Sequence, residues 1–425
     1  MNYLEIFDDI TSIMHTDYSG CNDKKGWDAP EIFRNQLISL EKDNNLDVIT
    51  FKEIVSEYLL DFRDGHVSLT LSGNNISKPY DNGFKCRRYK DKLYITQVGK
   101  ETRLKKGMAI IAIDDISIAD LGNKYKKNIQ VLGSHAEREN WSSVLLKHKQ
   151  CVIETKSGEA FEMLLEKYEK EKYIPEYSIK PMENDTLLIK ITDFNDDDAI
   201  SKLIENNKTA LDTAKYLIID VRVNYGGSDS AYMKLLDYIF PREISFDQLH
   251  IDLAQYNMTE RNYTLRATQL KQYITQVEDQ NTKKVLQDYL NTMDKYRNKG
   301  FVEFDINDSV LNVKINGRKV PEKIVVLQDV YCGSSGDSFV VIAGQSEKVT
   351  LIGRGTAGIT DYSNVAVQPY ENGLMLWYPT SRDANIDNGK GLTGFGVAPD
   401  IYIPWTPEHI KKDIDLEKAI EFLTK

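Results

Sequence analysis

Two adjacent serines stand between glycines in "YCGSSGDSFVVIAG", residues 331 to 344, directly after an apolar run and at the start of a helical pattern. A serine hydroxyl is a weak nucleophile until a base takes its proton and fixed donors meet the oxyanion that then forms. A strand-to-helix turn supplies part of this, because the first N–H groups of a helix lack intrahelical acceptors and the helix dipole favours negative charge there. Ser334 would project its hydroxyl from such a turn, with the N–H of Ser335 as one oxyanion donor. By itself the string is also the ordinary signature of a capped helix. Cys332 is a second candidate nucleophile, although a small thiol at a strand end is usually buried and inert.

A second string, "DVRVNYGGSDS", places Gly226 and Gly227 at the end of an apolar run. A glycine pair there permits a bend whose N–H groups face a ligand, and it offers the second oxyanion donor. Without a lysine after it, it is no phosphate loop. A third feature is His66 in "RDGHVSL", one of six histidines. It follows a helical segment, and a helix end favours the imidazolium that a general base becomes on taking a proton.

Three kinds of segment must position these groups. Residues 1 to about 62 read as helical: Asp28 before "APEIF" offers an N-cap with Pro30 in the first turn, and Thr50 to Glu53 has the form of a capping box. Phe51, Val55, Tyr58, Leu59 and Phe62 share one face, and Gly65 is expected to end the helix in a left-handed conformation. From residue 80 to about 165, short alternating strands such as "KLYITQV" and "MAIIAIDDISI" indicate a β-rich unit. Beyond 175, "AKYLIIDVRVNYGGSDSAYMKLLDYIF" and "EKIVVLQDVYCGSSGDSFVVIAGQ" each run from apolar strand through glycine turn to helix, which suits parallel strands buried on both faces. Apolar positions between 260 and 298 repeat as in two helices, an insertion within the α/β segment.

Composition bounds the function classes. The chain has 425 residues, 41% hydrophobic and 28% charged, with a formal net charge of -11. The size allows several domains, and the acidic balance without a basic block argues against nucleic acid as a partner. Four dispersed cysteines without a C-x-x-C pair suggest neither a disulfide framework nor a zinc ribbon and fit a reducing compartment. Glu5, Asp8 and Asp9 interrupt the opening residues where a secretory leader would be basic and then apolar, so a cytoplasmic protein without a membrane span is expected.

Together, "LIIDVRVNYGG" from Leu217, "VYCGSSGDSF" from Val330, "LIGRGTAGIT" from Leu351 and "GFGVAPDIYI" from Gly394 resemble, in order, four motifs of the C-terminal processing (tail-specific) peptidases, peptidase family S41. The resemblance implies an α/β fold: a ClpP/crotonase-like catalytic core over 171–425 with a helical insertion at about 245–305. It also implies a PDZ-like domain over 80–170, preceded by a helical region over 1–79. It assigns Ser334 as nucleophile, Asp337 to the acidic position of the same motif, Ser335 and the Gly226–Gly227 pair to the oxyanion site, and no metal or organic cofactor. Ile359 stands where many members carry a catalytic lysine. "RDGHVSL" is similar instead to the tricorn-core-like branch, which implies His66 as general base. Thr393 stands where that branch carries a glutamate, leaving Asp383 and Asp387 as candidate orienting acids. The expected function is a serine-type peptidase, an endopeptidase cleaving peptides or protein C-terminal segments, with a peptide or unfolded protein as its substrate. A catalytically silent peptide- or ligand-binding protein on the same fold is the alternative.

Overall fold

The computed structural model describes residues 2–72, 80–129, 135–245, 248–249, 254–277, 280–304 and 314–425. The boundary expected at 79 and the insertion end expected at 305 lie outside the described residues. The chain forms two compact units, each assembled from separated stretches of sequence. One comprises Met1–Ile76, Ser245–Val313 and Ile359–Leu392; the other comprises Ser77–Ile244, Lys314–Gly358 and Thr393–Lys425.

In the first unit three helices, Tyr3–Thr16, Pro30–Lys42 and Val48–Leu59, are followed by strand Ser68–Leu71. Their apolar faces, including Ile6, Ile10, Phe51, Val55 and Tyr58, share one core with Leu374, Leu376 and Tyr378 of strand Leu374–Asp383. Along one edge of that strand runs Tyr362–Pro369, antiparallel. Ser68–Leu71 pairs with its first half and Ala254–Met258 with its end, and Gly300–Glu303 completes the sheet. The insertion adds helices Glu260–Gln276 and Gln280–Lys295, the two helices expected there. Met293 joins a cluster with Met258 and Phe304, in which the Phe304 ring stacks on Tyr256 at 4.0 Å.

Three local expectations in this unit are corrected. The second helix begins at Pro30, but its N-cap is Ala29, and Asp28 instead accepts the Tyr58 hydroxyl at 2.8 Å. The third begins at Val48: Asp47 caps it by accepting the Thr50 N–H at 2.7 Å, so an aspartate three residues upstream takes the role expected of Thr50. Arg63, not Gly65, adopts the left-handed conformation at the end of the following 3-10 turn, with φ +47°. Gly65 lies close against Ile359 instead, and a Cβ there would stand 3.1 Å from the Ile359 side chain.

The second unit is built on a six-stranded sheet in the order Tyr177–Pro181, Thr186–Ile191, Tyr216–Asp220, Lys323–Gln328, Val349–Gly353, Ile401–Tyr402. Only the first pairing is antiparallel. The apolar runs "YLIID" and "KIVVLQ" are its central strands, buried on both faces as their composition requires. A short parallel pair, Val223–Asn224 with Tyr331–Cys332, extends beyond their C-terminal ends. Strands Phe84–Tyr89, Lys92–Val98, Ala109–Ile113, Gln150–Glu154 and Ala160–Leu164 form an antiparallel sheet around Leu93, Ile95, Ile110, Ile113 and Trp141. Arg87 of this sheet makes a bidentate ion pair with Asp329, at 2.7 and 2.8 Å, just past the central strand Lys323–Gln328. Among the described residues no helix is long and apolar enough to cross a membrane.

Candidate active site

The short parallel pair brings the two glycine strings together. Asn224 lies opposite Cys332, so the chain leaves one strand into Gly226–Gly227 and the other into Gly333–Ser334. Strand alternation turns Asn224 and Cys332 inward, where both are fully buried. Asn224 then fixes three groups: its carbonyl accepts the Gly333 N–H at 2.9 Å, its side-chain oxygen the Gly226 N–H at 3.0 Å, and its amide donates to the Ile191 carbonyl at 3.0 Å.

Ser334 occupies φ +58°, ψ -125°, a region that a side chain rarely enters, at a cost on the order of 1–3 kcal/mol. Helix Ser335–Ala343 starts immediately after it. Asp337, fully buried, stabilises the turn: one carboxylate oxygen accepts the Ser334 N–H and the other the Gly358 N–H, both at 2.9 Å. This ties the serine turn to the "GTAG" string. From the other side Arg138 donates to the carbonyls of Gly355, at 3.1 Å, and Ala357, at 2.9 Å.

Gly226 is pressed against the serine. A Cβ on it would stand 2.7 Å from the Ser334 Cβ, and its φ of +73° is itself a glycine conformation. Its N–H is engaged by Asn224, so the N–H of Gly227 is the one of the pair left to meet a ligand. Among the described residues neither that N–H nor that of Ser335 donates to a main-chain carbonyl in the turns and loops. The Ser335 hydroxyl donates to the Gly227 carbonyl at 2.9 Å, which joins the start of the helix to the glycine turn. Two N–H donors held beside one serine are what an oxyanion requires. Cys332 faces the other way, its thiol pushed well above its ordinary range by burial and then by Asp337.

His66 belongs to the first unit. Its main-chain N–H donates to Asp64 at 2.9 Å, and its ring Nδ1 lies 2.8 Å from the Tyr362 carbonyl oxygen. A carbonyl only accepts, so Nδ1 carries a proton, and the lone pair of a neutral ring would then lie on Nε2. The Nδ1 atom is thus engaged by a backbone carbonyl. The two expected acids have other partners: Asp387 makes a bidentate pair with Arg382 at 2.7 and 3.0 Å, and Asp383 accepts the Asn385 N–H at 2.8 Å. Hydrogen bonding to Arg382 lowers the Asp387 carboxyl below its ordinary value. Ile359 packs over Gly65, on the turn that carries His66. Sequence reasoning missed the Tyr362 carbonyl and the clamping role of Asn224; a main-chain acceptor has no residue signature, but an asparagine two residues before a glycine bend does. Among the described residues no group of three or more His, Cys, Asp or Glu side chains is placed to hold a metal ion.

A sequence profile of peptidase family S41 matches residues 185–403, just over half of the chain. Among solved structures, mature CPAF complexed with lactacystin is similar over 100% of this chain and 97% of its own, with a TM-score of 0.66 and 14% identity. Mature CPAF has the same TM-score at 15% identity, covering 100% of this chain and 96% of that one. The photosystem II D1 C-terminal processing protease covers 100% of this chain and 98% of its own, at a TM-score of 0.46 and 12% identity. At the CPAF identities the likeness is one of fold. No curated protein matches the sequence significantly.

Proposed function

Since the chain belongs to peptidase family S41, which supports a serine peptidase acting on peptide or protein substrates, we propose that Ser334 is its nucleophile and His66 its general base. His66 Nε2 takes the Ser334 proton as Oγ attacks the scissile carbonyl. The N–H groups of Gly227 and Ser335 receive the negative charge of the tetrahedral intermediate. Its collapse passes the proton from His66 to the leaving amine and leaves an acyl-serine. Water, deprotonated by the same imidazole, releases the acid and regenerates the serine.

The observation that carries this reading is the strained Ser334 turn, with Ser335 opening the helix after it and joined by its hydroxyl to the glycine turn at the Gly227 carbonyl. The His66 role is supported within its own unit by the Tyr362 carbonyl, which selects the tautomer a base needs. No lysine is required by this scheme, consistent with Ile359 in the place of one. We assign the antiparallel sheet that runs from strand Phe84–Tyr89 to strand Ala160–Leu164, in the segment that resembles a PDZ-like domain, to capture of an extended peptide by strand addition.

The test is hydrolysis of a fluorescein-labelled unfolded protein by the full chain, followed as release of small fragments. Wild type cleaves, Ser334→Ala does not, and His66→Ala falls by at least about 10³-fold. Equal cleavage by wild type and Ser334→Ala overturns the assignment. A folded wild type that binds the substrate without cleaving it favours a silent binding protein.

A further inference from the structure

A buried cation stands behind His66 in the same unit. Lys24 follows the loop "DYSGCND" and is 3% exposed. Its Nζ donates to the Tyr18 hydroxyl at 2.6 Å and lies 3.6 Å from Asp64 Oδ2. The Tyr18 hydroxyl donates in turn to Asp64 Oδ2, also at 2.6 Å. The other oxygen of Asp64 accepts the His66 main-chain N–H. The same ammonium sits 3.9 Å from the centroid of the Tyr362 ring. Tyr362 is the residue whose carbonyl accepts the hydrogen bond of the His66 Nδ1–H.

Lys24 therefore touches both groups that hold His66: the carboxylate that grips its main chain and the tyrosine whose peptide grips its ring. Burying an ammonium is costly unless it is paired, and a lysine with only a surface role would keep its ammonium in water. Burial lowers the Lys24 ammonium below its ordinary value, while Asp64, Asp361 and Asp23 act to keep it charged. Burial and Asp64 push the Tyr18 phenol well above its own, so it stays a donor. Gly20 makes the site possible, because a Cβ there would fall 2.5 Å from the Tyr18 ring.

We propose that Lys24, Tyr18 and Asp64 are positioning residues for His66, a buried cation–phenol–carboxylate support that fixes its main chain and, through Tyr362, its ring. The inference rests on the reading of His66 as general base. The aspartate of "DGH" thereby acquires a role, since Asp64 anchors the histidine through its backbone instead of ordering the imidazole directly.

The test uses the full chain with Tyr18→Phe, which deletes one oxygen, and Lys24→Met, which deletes the charge at similar length. The readouts are the rate of labelling by a fluorophosphonate, its pH profile, and the ¹⁵N shifts of the His66 ring. Both variants are expected to label about 10- to 100-fold more slowly. In Lys24→Met the acid limb of the profile moves to higher pH, because Asp64 loses its counter-charge and favours the imidazolium. The ring signal moves away from the pure Nδ1–H tautomer. A folded Tyr18→Phe with wild-type rate, profile and ring shifts overturns the proposal, and it decides the matter alone if Lys24→Met does not fold. His66→Ala separates the two readings: undiminished labelling there removes the base assignment, and the ring shifts then judge the support by themselves.

Discussion

Gly226→Ala is the sharpest single perturbation of the serine turn. The new Cβ would stand 2.7 Å from the Ser334 Cβ and 2.8 Å from the Gly333 carbonyl oxygen, about 0.7 Å short of the 3.4 Å at which ordinary contact begins. One of these partners is main chain, so no side-chain rotation relieves both. The position also has φ +73°, which costs an alanine about 1–2 kcal/mol before any contact is counted. The contact adds about 1–3 kcal/mol, as for other overpacked sites. Gly158→Ala provides the control: its φ is +90° and nothing lies within 4 Å of its Cβ, so it carries the conformational cost alone. Urea unfolding is expected to show Gly226→Ala less stable than Gly158→Ala by about 1–3 kcal/mol. Fluorophosphonate labelling should fall about 10²-fold in the first, since the serine must move by a large fraction of an ångström, and not in the second. Equal stability of the two variants, with wild-type labelling of both, would refute the packing argument.

Three further outcomes are expected. Asp337→Asn leaves one of the two N–H groups it accepts, from Ser334 or Gly358, facing an NH₂; urea unfolding should lose about 1–3 kcal/mol, and labelling should fall with it. Burial raises the Asp329 carboxyl, but the Arg87 and Arg354 guanidinium groups outweigh it and hold the group at about 2, against 3.8 for a free aspartate. Because the folded value is depressed, this stabilisation, on the order of 2 kcal/mol, is complete above pH 3.8 and fades as pH falls through about 2; urea midpoints measured against pH should lose that slope in Asp329→Asn. Cys332→Ala should keep labelling within about threefold of wild type if the buried thiol has no part in the chemistry, and complete loss in a folded variant would return it as a candidate nucleophile.

The parallel core was legible because its strands are continuous apolar runs, "YLIID" and "KIVVLQ", and burial on both faces demands that composition. The two insertion helices were legible from their period. Helix ends were less so: Thr50 and Asp28 have the right chemistry for caps, but Asp47 and Ala29 hold those positions because the helices start where tertiary packing places them. Gly226 and Ser334, each an ordinary turn residue in its own string, become one site only through the register of Val223–Asn224 on Tyr331–Cys332, a pairing between segments far apart in sequence. The Tyr362 carbonyl and the buried Lys24 were invisible for different reasons. Every residue carries a carbonyl, and a lysine in a polar loop reads as solvated until Tyr18 and Asp64 are seen to surround it.

The central claim is that Ser334 is the residue that becomes acylated. Incubating the native full chain with a fluorophosphonate and mapping the modified peptide by mass spectrometry tests it most directly. One adduct is predicted, on Ser334, absent from Ser334→Ala and formed orders of magnitude more slowly in His66→Ala. An adduct on Ser335 or on another residue, or a folded wild-type protein that takes none, would contradict it.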